Sequence, residues 1–294
     1  VTVFAQTRDT ENRIIIDSPE EFLKIGTTGY PLNDSYILTT DINLSDLGQK
    51  SAAIISSFSG TYDGNGHTIT YQASFNASNQ GGYGLFGSVS GTIKNLTVDA
   101  SVTFGGASNF IDFGLLCGIL SGTLQSCNVT GVINSTAVSK NGSGTDSGLL
   151  VGESSGTIKY CIGNGSVAGL GHVGGLIGRM NGGSVLGSAF TGSVYAIAPE
   201  KANGDHSYGS VAGGICGAVQ TGSSINSCFV DADIVAEDAD NKKIPCLPYG
   251  VAYDNGNDIS ITNNYCEGTV NGSPIDSNVE ISNSTNASGN YYPG

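Results

Sequence analysis

Six stretches of the chain keep one register, and nothing else in the sequence constrains the fold as tightly. Leu85-Phe86-Gly87 is followed six residues later by Ile93, Leu116-Cys117-Gly118 by Leu124, and Leu150-Val151-Gly152 by Ile158. Leu176-Ile177-Gly178 leads to Val185, Ile215-Cys216-Gly217 to Ile225, and Val251-Ala252-Tyr253 to Ile261. Nine residues after these anchors stand Val102, Ile133, Val167, Val194, Ile234 and Val270; three after them stand Leu96, Cys127, Cys161, Ser188, Cys228 and Asn264. A further column holds only Ala100, Gly131, Gly165, Gly192, Ala232 and Gly268. Such columns arise when each coil lies about 4.8 Å from the last, so that like positions stack, and when period-two positions share one interior. The expectation is an all-β chain folded as a right-handed parallel β-helix, a solenoid of about six to seven coils. A β-sandwich of short strands imposes no such common register.

Local signals fit this reading. The Ala/Gly column is expected where the interior is too narrow for a longer side chain, and the glycine ending each anchor block is expected at a corner of positive φ. The seven prolines all lie outside the aligned arcs, as residues that cannot donate to a ladder should. Ile14–Ile16 reads as a short strand, and 17–25 as a helix with an Asp or Ser cap, Pro19 in the first turn and Glu20 and Glu21 following. One domain over 1–294 is expected: a cap region at 1–57 that closes the open end of the core, a coil stack at 58–270, and a partial coil and cap at 271–294. Asn290-Tyr291-Tyr292 echoes Asn264-Tyr265-Cys266 and finishes the stack.

Composition narrows the function. The net charge is −14 with 11 basic residues and no basic run, so a phosphate backbone finds no partner and nucleic acid is not expected as a ligand. No apolar stretch approaches the roughly 18 residues that span a bilayer. Val1–Ala5 reads either as the tail of a trimmed export signal or as an ordinary first strand.

The blocks Gly84-Leu85-Phe86-Gly87 with Gly91-Thr92-Ile93-Lys94-Asn95, and Gly174-Gly175-Leu176-Ile177-Gly178, resemble the GLUG-motif repeats of bacterial surface proteins. The opening strand and helix at 14–25, the segment Tyr36–Leu44 and the segment Phe58–Ile69 also resemble the openings that precede β-helices in secreted proteins of Bacteroides-like bacteria and in some peptidase precursors. The resemblance covers about residues 14–294. It implies an exported, cell-surface, adhesin-like protein, with a lipid anchor upstream of Val1 compatible with it. It transfers no catalytic residue, because the motif is structural.

Several side chains were weighed for chemistry. The seven cysteines include no CxxC pair and fall in inward columns, where small buried free thiols are expected rather than disulfides or zinc ligands. Gly82-Tyr83-Gly84-Leu85-Phe86-Gly87 matches GxGxxG, but the repeat already explains its glycines and no βαβ unit surrounds it. His67, His172 and His206 are scattered, and each reads as a surface residue, His172 in a short loop. Asp231 and Asp233 alternate outward on one strand and Glu267 takes the Asp231 column one rung on. These three form either a solvated acidic strip or a calcium site. No cofactor other than calcium is expected. No outward threonine ladder is expected along the columns, so ice binding is not expected.

The arcs 102–116, 133–150, 167–176, 194–215 and 234–251 vary in length while the opposite side stays nearly fixed, so insertions leave one corner. A ligand-binding face is expected there, with Tyr195, Asp205, His206, Tyr208, Asp238, Asp240 and Tyr249. The leading expectation is a non-enzymatic adhesin-like protein that binds a glycan or host surface ligand. The alternatives are a polysaccharide lyase or glycoside hydrolase using Asp231, Asp233 and Glu267 with Lys242 or Lys243 as base, and a passive spacer in a surface assembly. The chain has no Trp, which argues against enzyme subsites built on large aromatic faces. The sequence leaves ligand identity and oligomeric state open.

Overall fold

Strict alternation of inward apolar and outward polar residues makes Thr68–Asn76, Thr97–Gly105, Asn128–Ser135, Ala189–Ile197 and Phe229–Glu237 the long strands of the molecule. A computed structural model describes residues 6–108, 111–139, 145–198, 210–237, 247–256, 258–275 and 282–293. Within them the chain is a parallel β-helix whose rungs visit four faces. Face A is ten-stranded, from Ile14–Ile16 and Ser35–Leu38 through Thr92–Lys94 to Ala287–Ser288. Face B carries the long strands, from Ile42–Lys50 to Tyr265–Val270. Face C consists of short strands such as Ile111–Phe113, Thr145–Gly148 and Val211–Gly213, and face D runs from Ile55–Phe58 to Ala252–Asp254. Neighbouring strands in each face pair in parallel, until Ser273–Pro274 turns back antiparallel on Thr269 and Val270.

The corner from A to B has one design throughout. Asn95, Ser126, Tyr160, Gly187, Ser227 and Asn263 all adopt φ between 52° and 58°. This left-handed backbone is costly for most L-residues. The residue after each one points inward and is buried: Leu96, Cys127, Cys161, Ser188, Cys228 and Asn264. Four of these side chains donate to the carbonyl two residues back, at 3.5 Å for Cys127 and Cys161, 3.1 Å for Ser188 and 3.4 Å for Cys228. The expected column therefore exists, and its cysteines do more than fill space, because they give a second donor to corner carbonyls that already accept a backbone amide from the neighbouring rung. Asn264 and Asn290 extend this by accepting the amides of Cys228 and Asn264, each at 2.9 Å.

The two glycine columns exchange their expected roles. Gly87, Gly118, Gly152, Gly178 and Gly217 do not have positive φ. Face C folds back against them: an added Cβ would lie 2.2 Å from Gly82 Cα at Gly118, 2.4 Å from Phe113 N at Gly152 and 2.3 Å from Ser147 N at Gly178. On the next rung the equivalent position is Tyr253, and there the pairing with face D slips, Ala218 facing Tyr253. The positive φ belongs instead to the glycines of the Ala/Gly column, at 148° in Gly131 and 150° in Gly165, and not to its Ala100 and Ala232. Interior narrowness does not explain that column, because fully buried Tyr71 heads it opposite Ala100 and donates to Leu115 O at 2.6 Å.

The N-terminal cap is shorter than expected: the helix is Pro19–Phe22, with Ser18 Oγ accepting from Glu21 N. Phe22 is fully buried and meets Tyr62 and Phe86 edge-on at 6.0 and 6.1 Å, plugging the core. Asp63, 7% exposed, straps the preceding arm to the stack through Arg13 and Lys94, each at 3.3 Å.

Face A presents an outward hydroxyl on eight successive rungs: Ser35, Thr61, Thr92, Thr123, Thr157, Ser184, Ser224 and Ser260 stand in register. This corrects the expectation that no such ladder exists; the signal was the residue just before each anchor. Lys94 and Lys159 flank it and break the surface with charge.

Six cysteines, Cys117, Cys127, Cys161, Cys216, Cys228 and Cys266, are free and buried. Burial pushes the Cys228 thiol up to about 11 and that of Cys266 up to about 12. Because all six are buried, they should resist alkylation in the native chain and react on unfolding without reductant, as counted by mass spectrometry. Gly152→Ala should destabilise the fold by about 1–3 kcal/mol or more by overpacking. Gly105→Ala, where an added Cβ meets only Thr136 Oγ1 at 3.9 Å, should change stability by less than about 0.5 kcal/mol. Urea denaturation measures both.

Candidate functional site

Titratable groups converge where face C folds back over face D. The strands Ile111–Phe113 and Thr145–Gly148 set Asp112 beside Asp146 in register, and the next strand sets His172 beside Asp146. On face D, Glu153 stands beside Arg179. The close approach over Gly152 and Gly178 brings the two rows together. Carboxylate oxygens of Asp112, Asp146 and Glu153 lie within 4.8 Å of one another. His172 Nδ1 is 2.7 Å from Asp146 Oδ1, Arg179 Nε is 2.9 Å from Asp146 Oδ2, and the same guanidinium pairs with Glu153.

One cation thus serves two carboxylates and leaves the third. Burial, with the Asp146 and Glu153 carboxylates beside it, holds the Asp112 carboxyl well above the usual range, and Arg179 only partly opposes this. A protonated Asp112 donating to Asp146 satisfies both, the arrangement expected when two buried carboxyls share one site. The cluster can store and exchange a proton. A metal ion there would have to displace that proton in competition with Arg179.

Sequence reasoning missed this cluster, although a signal exists. Asp112-Phe113-Gly114, Asp146-Ser147-Gly148 and His172-Val173-Gly174 share one spacing, hidden because the arcs before them differ in length. His172 lies in the strand Ile162–Gly174 rather than in a loop.

The residues singled out from the sequence lie elsewhere. Asp231 pairs in register with Glu267, and Asp233 with Thr269, on the outer surface of face B. Thr269 donates to Asp233 at 2.7 Å and Tyr265 to Glu267 at 3.1 Å. Among the described residues the three-carboxylate convergence is that of Asp112, Asp146 and Glu153, not this strip. Tyr195 is also on face B and donates to Glu237 at 2.7 Å. Tyr249 ends face C and stacks on Tyr253 at 5.6 Å. Asp205, His206, Tyr208, Asp238, Asp240, Lys242 and Lys243 lie outside the described residues.

The raised Asp112 carboxyl fixes a sign. Its folded form holds a proton that the unfolded chain, near pKa 3.9, releases. Its stabilising contribution is therefore complete below that value and is lost as pH rises through the folded pKa. Asp112→Asn should flatten the fall in stability above about pH 4, followed by urea midpoints at stepped pH. Arg179→Ala leaves buried carboxylates uncompensated and should cost about 3–5 kcal/mol at neutral pH, with recovery on acidification.

No helix among the described residues is long and apolar enough to cross a membrane. No family model matches the chain, so the GLUG resemblance rests on its motif residues alone. A stretch of 190 residues, 63% of the chain, is 34% identical to Halomucin of Haloquadratum walsbyi and spans 2% of that protein's length. In structure the chain is similar to a Bacteroides ovatus protein described as a "putative immunoglobulin A1 protease". The TM-score is 0.60 at 17% identity, covering 97% of this chain and 85% of the other. At that identity the likeness is one of fold, and the fold shared is the parallel β-helix.

Proposed function

We propose that the chain is a module of an exported surface protein, a rigid solenoid that presents a ligand-binding corner to a glycan or host ligand and performs no catalysis. The observation that carries this reading is where chain length varies. From Thr92–Lys94 onward the A-to-B corner takes two residues, as between Lys94 and Thr97 or Asn226 and Phe229. From B to C the connection ranges from none, within Ile162–Gly174, to the stretch between Ile197 and Val211. A scaffold fixed at one corner and free at another suits recognition by loops. The similarity to part of Halomucin supports surface display. The buried, mutually neutralised state of Asp112, Asp146 and Arg179 suits a structural role better than attack on a polymer.

Cutting 199–209 and 238–246 to short turns, with buried Ala198 and Ser210 kept, should leave the thermal melt intact and abolish binding on a glycan array. Intact binding by the shortened chain would place the face elsewhere. Polysaccharide breakdown by the wild type, seen in a reducing-sugar assay and stopped by Asp231→Ala, would replace this reading with the enzymatic one.

A further inference from the structure

A groove of about 470 Å³ opens on face B at the N-terminal rungs of the same corner. Its walls carry Gln49, Ser74, Asn76, Thr103, Asn134 and Thr136, and no ionisable side chain lines it. We infer that this groove is a binding site for a neutral oligosaccharide. The inference rests on the glycan reading above and gives it a place and a ligand class.

The groove exists because of one missing side chain. In the outward column Asn76 stands in register with Gly105, and beside Gly105 an added Cβ would meet only Thr136 Oγ1 at 3.9 Å. Gly105 does not have positive φ, so its backbone does not demand glycine, and its smallness is what leaves the groove open. Below lie Phe75 and Phe104, stacked at 5.0 Å and 11° and buried beneath the strands, so the groove holds its ligand through its polar walls.

The polar walls set the ligand class. Ser74 and Thr103 hydroxyls bond each other at 2.8 Å, while the side-chain amides of Gln49, Asn76 and Asn134 are exposed and available. An amide offers donors and an acceptor together, the complement of a hydroxyl-rich ligand. Charge disfavours the alternatives. The chain carries −14, no cation lines the groove, and Lys50, in register with Phe75, is the one Lys or Arg on the described strands of face B, so a phosphate, sulfate or uronate is a poorer fit than a neutral ligand. A cation finds no carboxylate in the groove. Gln49, Ser74, Thr103 and Asn134 lie on four successive rungs, a span of about 14 Å that suits a short chain of sugar units. The volume falls within the roughly 300–1,000 Å³ of small-molecule sites.

The test titrates the ¹⁵N-labelled full chain with neutral gluco-, manno-, galacto- and N-acetylglucosamine trisaccharides, and with trigalacturonate as the acidic control. At least one neutral sugar should shift the amides of Gly105, Gly106 and Thr136, and trigalacturonate should not. Gly105→Tyr fills the groove and should weaken binding at least tenfold with the melting temperature unchanged; Asn134→Ala should weaken it without filling. Equal binding by Gly105→Tyr, or preferential binding of trigalacturonate, overturns the inference. If a neutral sugar binds wild type and Gly105→Tyr alike but is lost on shortening 199–209 and 238–246, the groove is wrong and the adhesion reading stands. If no sugar binds here or on the array, both fall.

Discussion

A single backbone corner, repeated once per rung in the left-handed region, is what the rest of the molecule depends on. From Asn95 onward it turns the chain between faces A and B in two residues. Leu96 fills the first of these corners with apolar bulk, and from Cys127 onward the inward side chain also engages a carbonyl or an amide, as in Cys161, Ser188 and Asn264. Because the corner keeps its length over these rungs, the strands on either side stay in phase from rung to rung. That phase is what lets Ile93, Leu124, Ile158 and Val185 stack as one buried column.

The second constraint is a close approach. Face C lies so near face D that glycine is the residue accommodated at Gly118, Gly152 and Gly178. The same proximity forces polar side chains on the two faces into one another's company. The ion cluster around Asp146 follows from it: once the backbones are that close, Asp112, Glu153 and Arg179 must be neutralised locally, by pairing or by holding a proton. Where glycine gives way to Tyr253, the register yields instead.

The buried columns were legible in the sequence because anchors such as Leu85, Leu116 and Leu150 recur with fixed offsets. The reasons behind the glycines were not. A glycine required by a neighbouring backbone and one required by positive φ look the same in a sequence, and only coordinates separate Gly152 from Gly165. The hydroxyl ladder of face A is present in the sequence as Thr92, Thr123 and Thr157, but each stands beside an apolar residue whose column carries the stronger signal. The Asp112 cluster and the groove beside Gly105 were hidden for different reasons. The groove lies at the corner where length varies, whereas Asp112, Asp146 and His172 keep a fixed offset of four before Leu116, Leu150 and Leu176 but meet Glu153 and Arg179 only because face C folds back over face D.

The strand Ile162–Gly174 runs from face B into face C without interruption, and this bears on how the chain folds. Every other described rung of face C has a break before its strand, and closing such a connection costs entropy that grows with its length. The rung around Ile162–Gly174 carries no such cost, and its contacts join residues close in sequence. In a solenoid, where order can start at any repeat and spread to its neighbours, nucleation is favoured where closure is cheapest. Assembly then begins mid-stack and proceeds toward both ends. The Phe22 plug and the Asn290 rung come last, as seals on a core already formed.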